Sequence, residues 1–275
     1  MCLRNLALAV GLIAAAAASA DAPPGEAPLP DLSGMTPEEQ GLTIFRAKDS
    51  RESGYGDLQV ELEMILRDRR GTESRRELSI SQVEMERDGD RLLVVFDTPK
   101  PIRGTALLSH SHLQGPDDQW LYLPSMSRVK KIASRNRSGP FLGSEFAYED
   151  LALDDVEKFS YRLMGSERCG EADCLRIERV PHDEFSGYSR QEVLLHEPTL
   201  RVERIDYFDR HGRPLKVLTS DGYRLYEDRY WKAHRMFMEN LQTGKTTELL
   251  WKDYRFATGL DAERDFSTNA LMRAR

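Results

Sequence analysis

Residues 57–68, DLQVELEMILRD, alternate Leu58, Val60, Leu62 and Met64 with Gln59, Glu61 and Glu63. A period of two sends one set of side chains into a core and the other into water, so the stretch reads as a half-buried β-strand. Downstream, the same signal recurs in RRELSISQVEMER (75–87), DRLLVVFDTP (90–99), GTALLSHSHLQ (104–114) and DQWLYLP (118–124). It continues in FSYRLMGSERC (159–169), CLRIERVPH (174–182) and SRQEVLLHEPTLRVERIDYFDR (189–210). PLKVLTSDGYRLYEDRYWKAHRMFMENL (214–241) and TTELLWKDYRF (246–256) complete the set. Asp88-Gly89, His211-Gly212, Asp221-Gly222 and Thr243-Gly244 supply turns between neighbours. About ten such strands with no helices alternating between them predict a large antiparallel sheet. Periodicity alone leaves a sandwich, a closed barrel and a curved half-barrel all open.

Upstream of the strands, MTPEEQGLTIFRAKDSRESGYG (35–56) carries a helix signal: Thr36 as N-cap, Pro37 at the first helical position and Glu39 completing a capping box. Leu42, Phe45 and Ile44 mark its buried side, and the helix should end before Gly54. The segment before it, DAPPGEAPLPDLSG (21–34), is rich in Pro and Ala and reads as a flexible leader. Residues 1–20 have one cation, Arg4, then an apolar run, then Ala18-Ser19-Ala20, the three parts of a secretory signal peptide cleaved after Ala20. The apolar run is short for a bilayer span, which needs about 20 residues, and no second long apolar segment follows. The expected organisation is a signal peptide over 1–20, a leader over 21–34 and one domain over 35–275.

Charge narrows the function classes. The chain has 39 Lys+Arg against 46 Asp+Glu, a formal charge of −7 that falls by one more when Arg4 leaves with the signal. This argues against nucleic acid as a partner, which calls for a basic domain. Cys2 leaves with the signal too, so Cys169 and Cys174 in CGEADC are expected to pair as a disulfide clipping a tight turn in an oxidising compartment. A redox pair usually has two residues between its cysteines, and a metal site lacks two further ligands nearby.

Catalytic signals are weak. His110 and His112 have a spacing that zinc sites use, but the sequence implies no third ligand, and His182, His196, His211 and His234 are scattered. There is no G-x-S-x-G elbow and no phosphate-cradling G-x-x-x-x-G-K-[ST]. Glu145, Glu149, Asp150, Asp154 and Asp155 supply carboxylates for acid/base chemistry, against the plainer reading of a solvated acidic loop. No catalytic residue, metal or cofactor is assigned.

Residues 117–151, DDQWLYLPSMSRVKKIASRNRSGPFLGSEFAYEDL, concentrate aromatics, cations and acids. With VVFDTPKPIRGTALLSH before them, they carry a run of Arg-Gly-Thr, Trp-Leu-Tyr-Leu-Pro, Arg-Val-Lys-Lys-Ile, Gly-Ser-Glu-Phe and Tyr-Glu-Asp-Leu in that order. This pattern resembles the exported outer-membrane lipoprotein-sorting protein family, relatives of the LolA/LolB carriers, over about Met35 to Leu271, including the late TGKTTELLWKDYRF and FSTNAL. The resemblance implies a mainly β fold: a curved antiparallel sheet forming an incomplete barrel, a LolA-like half-barrel, with covering helices. It also implies a periplasmic location, lipid or lipoprotein cargo, transient contact with a membrane surface and an exporter of the resistance-nodulation-division type as partner.

An acyl chain crossing an aqueous compartment must be shielded, and burial is worth roughly 0.8 kcal/mol per methylene. Trp120 and Tyr122 share one face of their strand, with Leu121 and Leu123 on the other, so either pair lines a cavity while its counterpart packs beneath a helix or loop. Met126, Phe141 and Phe146 are candidates for a cavity mouth. Arg128, Lys130, Lys131, Arg135 and Arg137 are candidate contacts for a lipid headgroup or an acidic partner, the alternative being a solvated loop paired with Glu145, Glu149 and Asp150. The function expected from these readings is non-enzymatic carriage of a lipid or lipidated protein. An exporter-associated subunit or envelope sensor without cargo is the competing class.

Overall fold

The computed structural model describes residues 28–152 and 155–273. The expected signal peptide, the leader up to residue 27 and Asp154 lie outside the described residues. Helix α1 (Pro37–Glu52) begins as its sequence dictates: the Glu39 amide donates to Thr36 Oγ1 at 3.3 Å, and the Thr36 amide donates to the Glu39 carboxylate at 2.8 Å. Its buried stripe is Gly41, Ile44, Phe45 and Lys48, with Leu42 half-buried. Leu29 and Leu32, within the leader, pack against the main core.

Six strands follow: β1 (Asp57–Arg67), β2 (Glu73–Val83), β3 (Arg91–Thr98), β4 (Ala106–His110), β5 (Asp118–Leu123) and β6 (Arg128–Ile132). Each pairs antiparallel with the next. After the connection through residues 133–158 come β7 (Phe159–Cys169), β8 (Ala172–Pro181), β9 (Tyr188–His196), β10 (Val202–Asp209) and β11 (Pro214–Asp221). A separate hairpin of β12 (Arg224–Tyr226) and β13 (Tyr230–Lys232) precedes β14 (Arg235–Asn240), β15 (Thr246–Trp251) and the short β16 (Arg255–Phe256). Two one-turn helices, α2 (Ala262–Asp265) and α3 (Thr268–Leu271), complete the described fold.

The main sheet runs β6-β5-β4-β3-β2-β1-β15-β14-β11-β10-β9-β8-β7, with β16 also on β1. It is therefore two meanders welded at β1 and β15, where Leu62 faces Trp251 and Met64 faces Leu249. The sheet is curved and does not close into a barrel; β6 and β7 are its free edges. Register shifts in β2–β3, β7–β8 and β9–β10 add the local twist that curvature requires. The incomplete barrel expected from the family resemblance is the architecture observed.

β6 corrects one expectation. The cations of residues 128–132 read as part of a loop, yet this segment is an edge strand paired with β5 from Gln119–Ile132 to Leu123–Arg128. Its alternation is masked because Arg128, Lys130 and Lys131 occupy exposed positions and only Val129 and Ile132 are half-buried. Lysine and arginine on an edge strand also discourage pairing with another chain.

The two faces of the sheet bear different cores. Leu58, Val60, Leu62 and Met64 of β1 join Leu78, Val94, Leu121, Ile177, Ile205 and Leu249 on the inner face, beside Ile44 and Phe45 of α1. On the outer face of the β2–β6 arm, Val83, Val95, Ala106 and Leu108 pack under Phe266 and Leu271, with Trp120, Tyr122 and Val129 alongside. The C-terminal segment is fastened there by Arg91, which donates to the Ala262 carbonyl at 2.8 Å and pairs with Glu263, and by His110 Nε2 against the Phe266 carbonyl at 2.7 Å.

Candidate ligand-binding cavity

β6 and β7 are consecutive strands at opposite edges of the sheet, so the chain between them must cross the open side. Residues 133–152 do so as a strap that includes three one-turn 3-10 segments. Its two buried aromatics point inward, and the Phe141 ring lies 5.6 Å from Phe96 of β3 and 5.5 Å from Tyr148. Polar ties then fix it strand by strand. Arg76 of β2 donates to the Leu142 carbonyl at 2.9 Å, and the Glu145 amide donates to Thr247 Oγ1 of β15 at 2.9 Å. Asn240 of β14 donates to the Glu145 carboxylate at 2.7 Å.

Asp150 is the central anchor. Its carboxylate accepts Lys216 Nζ of β11 at 2.5 Å, Tyr188 OH of β9 at 2.7 Å and the Ala147 amide at 2.6 Å. Lys216 also donates to the Glu145 carbonyl at 2.9 Å and lies 5.1 Å from the Tyr188 ring and 5.0 Å from the Tyr207 ring. Both side chains are almost completely buried, at 4% and 6% exposure, a burial tolerable only because each charge is paired and hydrogen-bonded. Next to it, Glu149 accepts from Ser186 Oγ at 2.7 Å and the Gly187 amide at 2.9 Å. Burial holds the Glu149 carboxyl above its ordinary range.

Between strap and sheet lies a cavity of about 900 Å³, at the large end of ligand-site volumes. Its wall is the aliphatic inner face: Leu58, Val60, Leu62, Leu78, Ile80, Val94, Ile205, Leu218 and Leu249. Phe141 and Phe146 face it from the strap. One polar rim is Asp117, Arg137, Lys158 and Asp183, neutralised internally: Lys158 reaches Asp117 at 2.5 Å, and Arg137 reaches Asp183 at 2.7 Å and Asp117 at 3.7 Å. Another part of the wall comes from the end of α1 and the β12–β13 hairpin, through Lys48, Glu52, Trp231 and Lys232. That hairpin is held by aromatic packing, with Tyr230 against Phe256 at 5.3 Å and against Tyr55 at 5.8 Å.

The structure thus brings Phe141, Phe146 and Arg137 to the cavity and places the other candidates elsewhere. Trp120 and Tyr122 are half-buried on the outer face under the C-terminal segment, and Leu121 and Leu123 hold the inner face. Met126 is 61% exposed beyond β5. Arg128, Lys130, Lys131 and Arg135 are exposed, whereas Arg137 is buried in the rim network. Lys131 pairs with Asp118 at 2.6 Å and lies 5.6 Å from the Trp120 ring.

The acidic residues require a correction. Glu149 and Asp150 are not a solvated loop, nor do they pair with the β6 cations; they are sequestered anchors of the strap, bound to β9, β11 and the 186–187 turn. His112 lies against Asp88 at 2.9 Å and His110 is held by Phe266, so the two histidines have separate partners. Among the described residues no group of three His, Cys, Asp or Glu is placed to hold a metal. Cys169 and Cys174 form a disulfide across the β7–β8 hairpin, as expected, with Cα atoms 5.8 Å apart. No helix of the described residues is long and apolar enough to cross a membrane.

Comparison with known proteins agrees with this architecture. A domain from Vibrio parahaemolyticus described as an outer-membrane lipoprotein-sorting protein is 46% identical, covering 86% of this chain and 100% of its own, with a TM-score of 0.84. A DUF1329 family protein from Desulfovibrio piger is 30% identical over 86% of this chain and 100% of its own, with a TM-score of 0.81. A LolA superfamily protein from Nitrosomonas europaea, 18% identical over 83% of this chain and 98% of its own, shares the fold with a TM-score of 0.68. A family model described as an uncharacterized protein matches residues 88–273, and no curated protein matches the chain. With identity this high over nearly nine-tenths of its length, the chain belongs to the family of the outer-membrane lipoprotein-sorting and DUF1329 proteins, built on a LolA-like fold.

Proposed function

We propose that this protein is a periplasmic, non-enzymatic carrier that holds the acyl portion of a lipid or lipidated protein between its strap and its sheet. The observation that carries this reading is the cavity of about 900 Å³ walled by aliphatic strand residues and facing two strap phenylalanines. At roughly 0.8 kcal/mol per methylene, ten buried methylenes supply about 8 kcal/mol before the costs of association. Uptake needs no covalent chemistry: the strap swings outward, its polar ties exchange protein partners for water, and it closes again over the ligand. The family relationship and the signal-peptide pattern of the first 20 residues support the periplasmic setting.

A second reading has its own observation. Among the described residues, Arg128, Lys130 and Arg135 are exposed and make no ion pair, and they cluster at edge strand β6 and the start of the strap. Such a patch suits an acidic surface on a resistance-nodulation-division exporter or a lipid headgroup layer, and would serve an accessory subunit as well as a carrier. Native mass spectrometry after detergent-free purification separates the two. We expect a population carrying the added mass of an acyl lipid. Protein that is consistently empty yet binds an exporter would move the assignment to the accessory role.

A further inference from the structure

Five lysines and arginines line the cavity: Lys48, Arg137, Lys158, Arg179 and Lys232. Four have counterparts within the protein. Lys48 pairs with Glu52 at 2.8 Å, Arg137 with Asp183, and Lys158 with Asp117, while Arg179 donates to Gln191 at 2.8 Å. Lys232, at the end of the β12–β13 hairpin, has neither an ion pair nor a hydrogen bond from its ammonium among the described residues. Its ammonium lies over the Tyr55 ring, 5.4 Å from the centroid.

The carboxylates whose fields reach Lys232 are already engaged. Glu52 holds Lys48, and Glu84 accepts the amides of Gly54 and Gly56 at 2.8 and 2.7 Å. Burial pushes the Lys232 ammonium below the ordinary lysine range, with Glu52 and Glu84 opposing that shift and Lys48 reinforcing it. A half-buried cation beside an apolar cavity, with no counter-charge in contact, leaves a position that an anion on the ligand would fill.

We infer that Lys232 makes the cavity selective for amphiphiles with an anionic head, a carboxylate or a phosphate, over neutral ones of the same chain length. The inference rests on the carrier reading and adds the chemical class of cargo. The acyl chain would lie along the aliphatic wall of β1, β2 and β15, with the head at the α1 and β12–β13 end.

The test is displacement of a neutral fluorescent probe, N-phenyl-1-naphthylamine, from the purified protein by palmitate, hexadecyl phosphate and hexadecanol. A charge-assisted contact predicts that at least one anion binds roughly tenfold to a hundredfold tighter than the alcohol. Which anion it is distinguishes a fatty-acid carboxylate from a lipid phosphate. In Lys232→Met that preference should vanish, with hexadecanol affinity changed by less than about twofold; Lys232→Arg should retain it. Binding of both anions no tighter than the alcohol by the wild type overturns the inference and leaves the carrier reading standing, as does a Lys232→Met variant that keeps the preference. Failure of all three amphiphiles to bind overturns both. Should Lys232→Met not fold, Lys232→Gln is measured in its place against the same criteria.

Discussion

Asp150 and Lys216 are sixty-six residues apart in sequence and form one buried pair, with Tyr188 and the Ala147 amide completing the carboxylate's shell. Such a pair specifies where the strap lies more than it adds stability, because desolvation offsets much of the attraction. Glu149 beside it has the opposite balance: burial raises its pKa from 4.5, with the neighbouring charge of Asp150 acting in the same direction. A carboxyl whose folded-state pKa is raised contributes stability in full below its unfolded value and loses that contribution as pH rises through the folded one. Relative to Glu149→Gln, the wild type should therefore gain stability as pH falls from about 7 to about 5. Urea denaturation of both proteins at the two pH values measures this, and identical pH slopes would refute the assignment. At this scale the sequence showed the acids but not their partners, because Lys216 and Ser186 lie far along the chain.

Helix α1 shows how a local signal and a tertiary contact combine. Its start follows from Thr36, Pro37 and Glu39 alone, but its position on β7 depends on Gly41. A Cβ there would stand 2.8 Å from the Arg162 amide nitrogen and 3.0 Å from the Leu163 nitrogen, both backbone atoms with little freedom to move. Phe45 extends the same contact, its ring 4.4 Å from Tyr161. Alanine improves helix propensity by about 1 kcal/mol, yet overpacking costs about 1–3 kcal/mol. Gly41→Ala should thus be destabilising by up to about 2 kcal/mol despite being the better helix former. A urea midpoint equal to or above that of the wild type would defeat this account of the α1–β7 contact. At element scale most strands were legible from their period of two; β6 was not, because as an edge strand it buries too little apolar surface to show alternation.

For the whole molecule, the central feature is a sheet left open between β6 and β7 and spanned by the chain that joins them. The exposed cations lie at that opening, so a docking role belongs to this scale. Arg128→Glu combined with Arg135→Glu should slow lipid transfer to or from an acidic acceptor by several-fold to about tenfold, since steering by a charged patch acts on association. Stability should change by no more than about 0.5 kcal/mol, as both side chains are exposed. Transfer at the normal rate by the folded double variant would remove the patch from the mechanism. Phe141 and Phe146 were legible as cavity candidates, whereas Trp231 and Lys232 were not, because the sequence does not reveal how the β12–β13 hairpin stands against the end of α1. The alternation of side chains, the helix cap and the cysteine pair were determined by sequence, because each depends on neighbours within a few residues. Only the tertiary structure decided which face of DQWLYLP turns inward, where the acids are buried and which cavity cation lacks a counter-charge. Those outcomes depend on sheet curvature and on contacts between chain segments far apart in sequence.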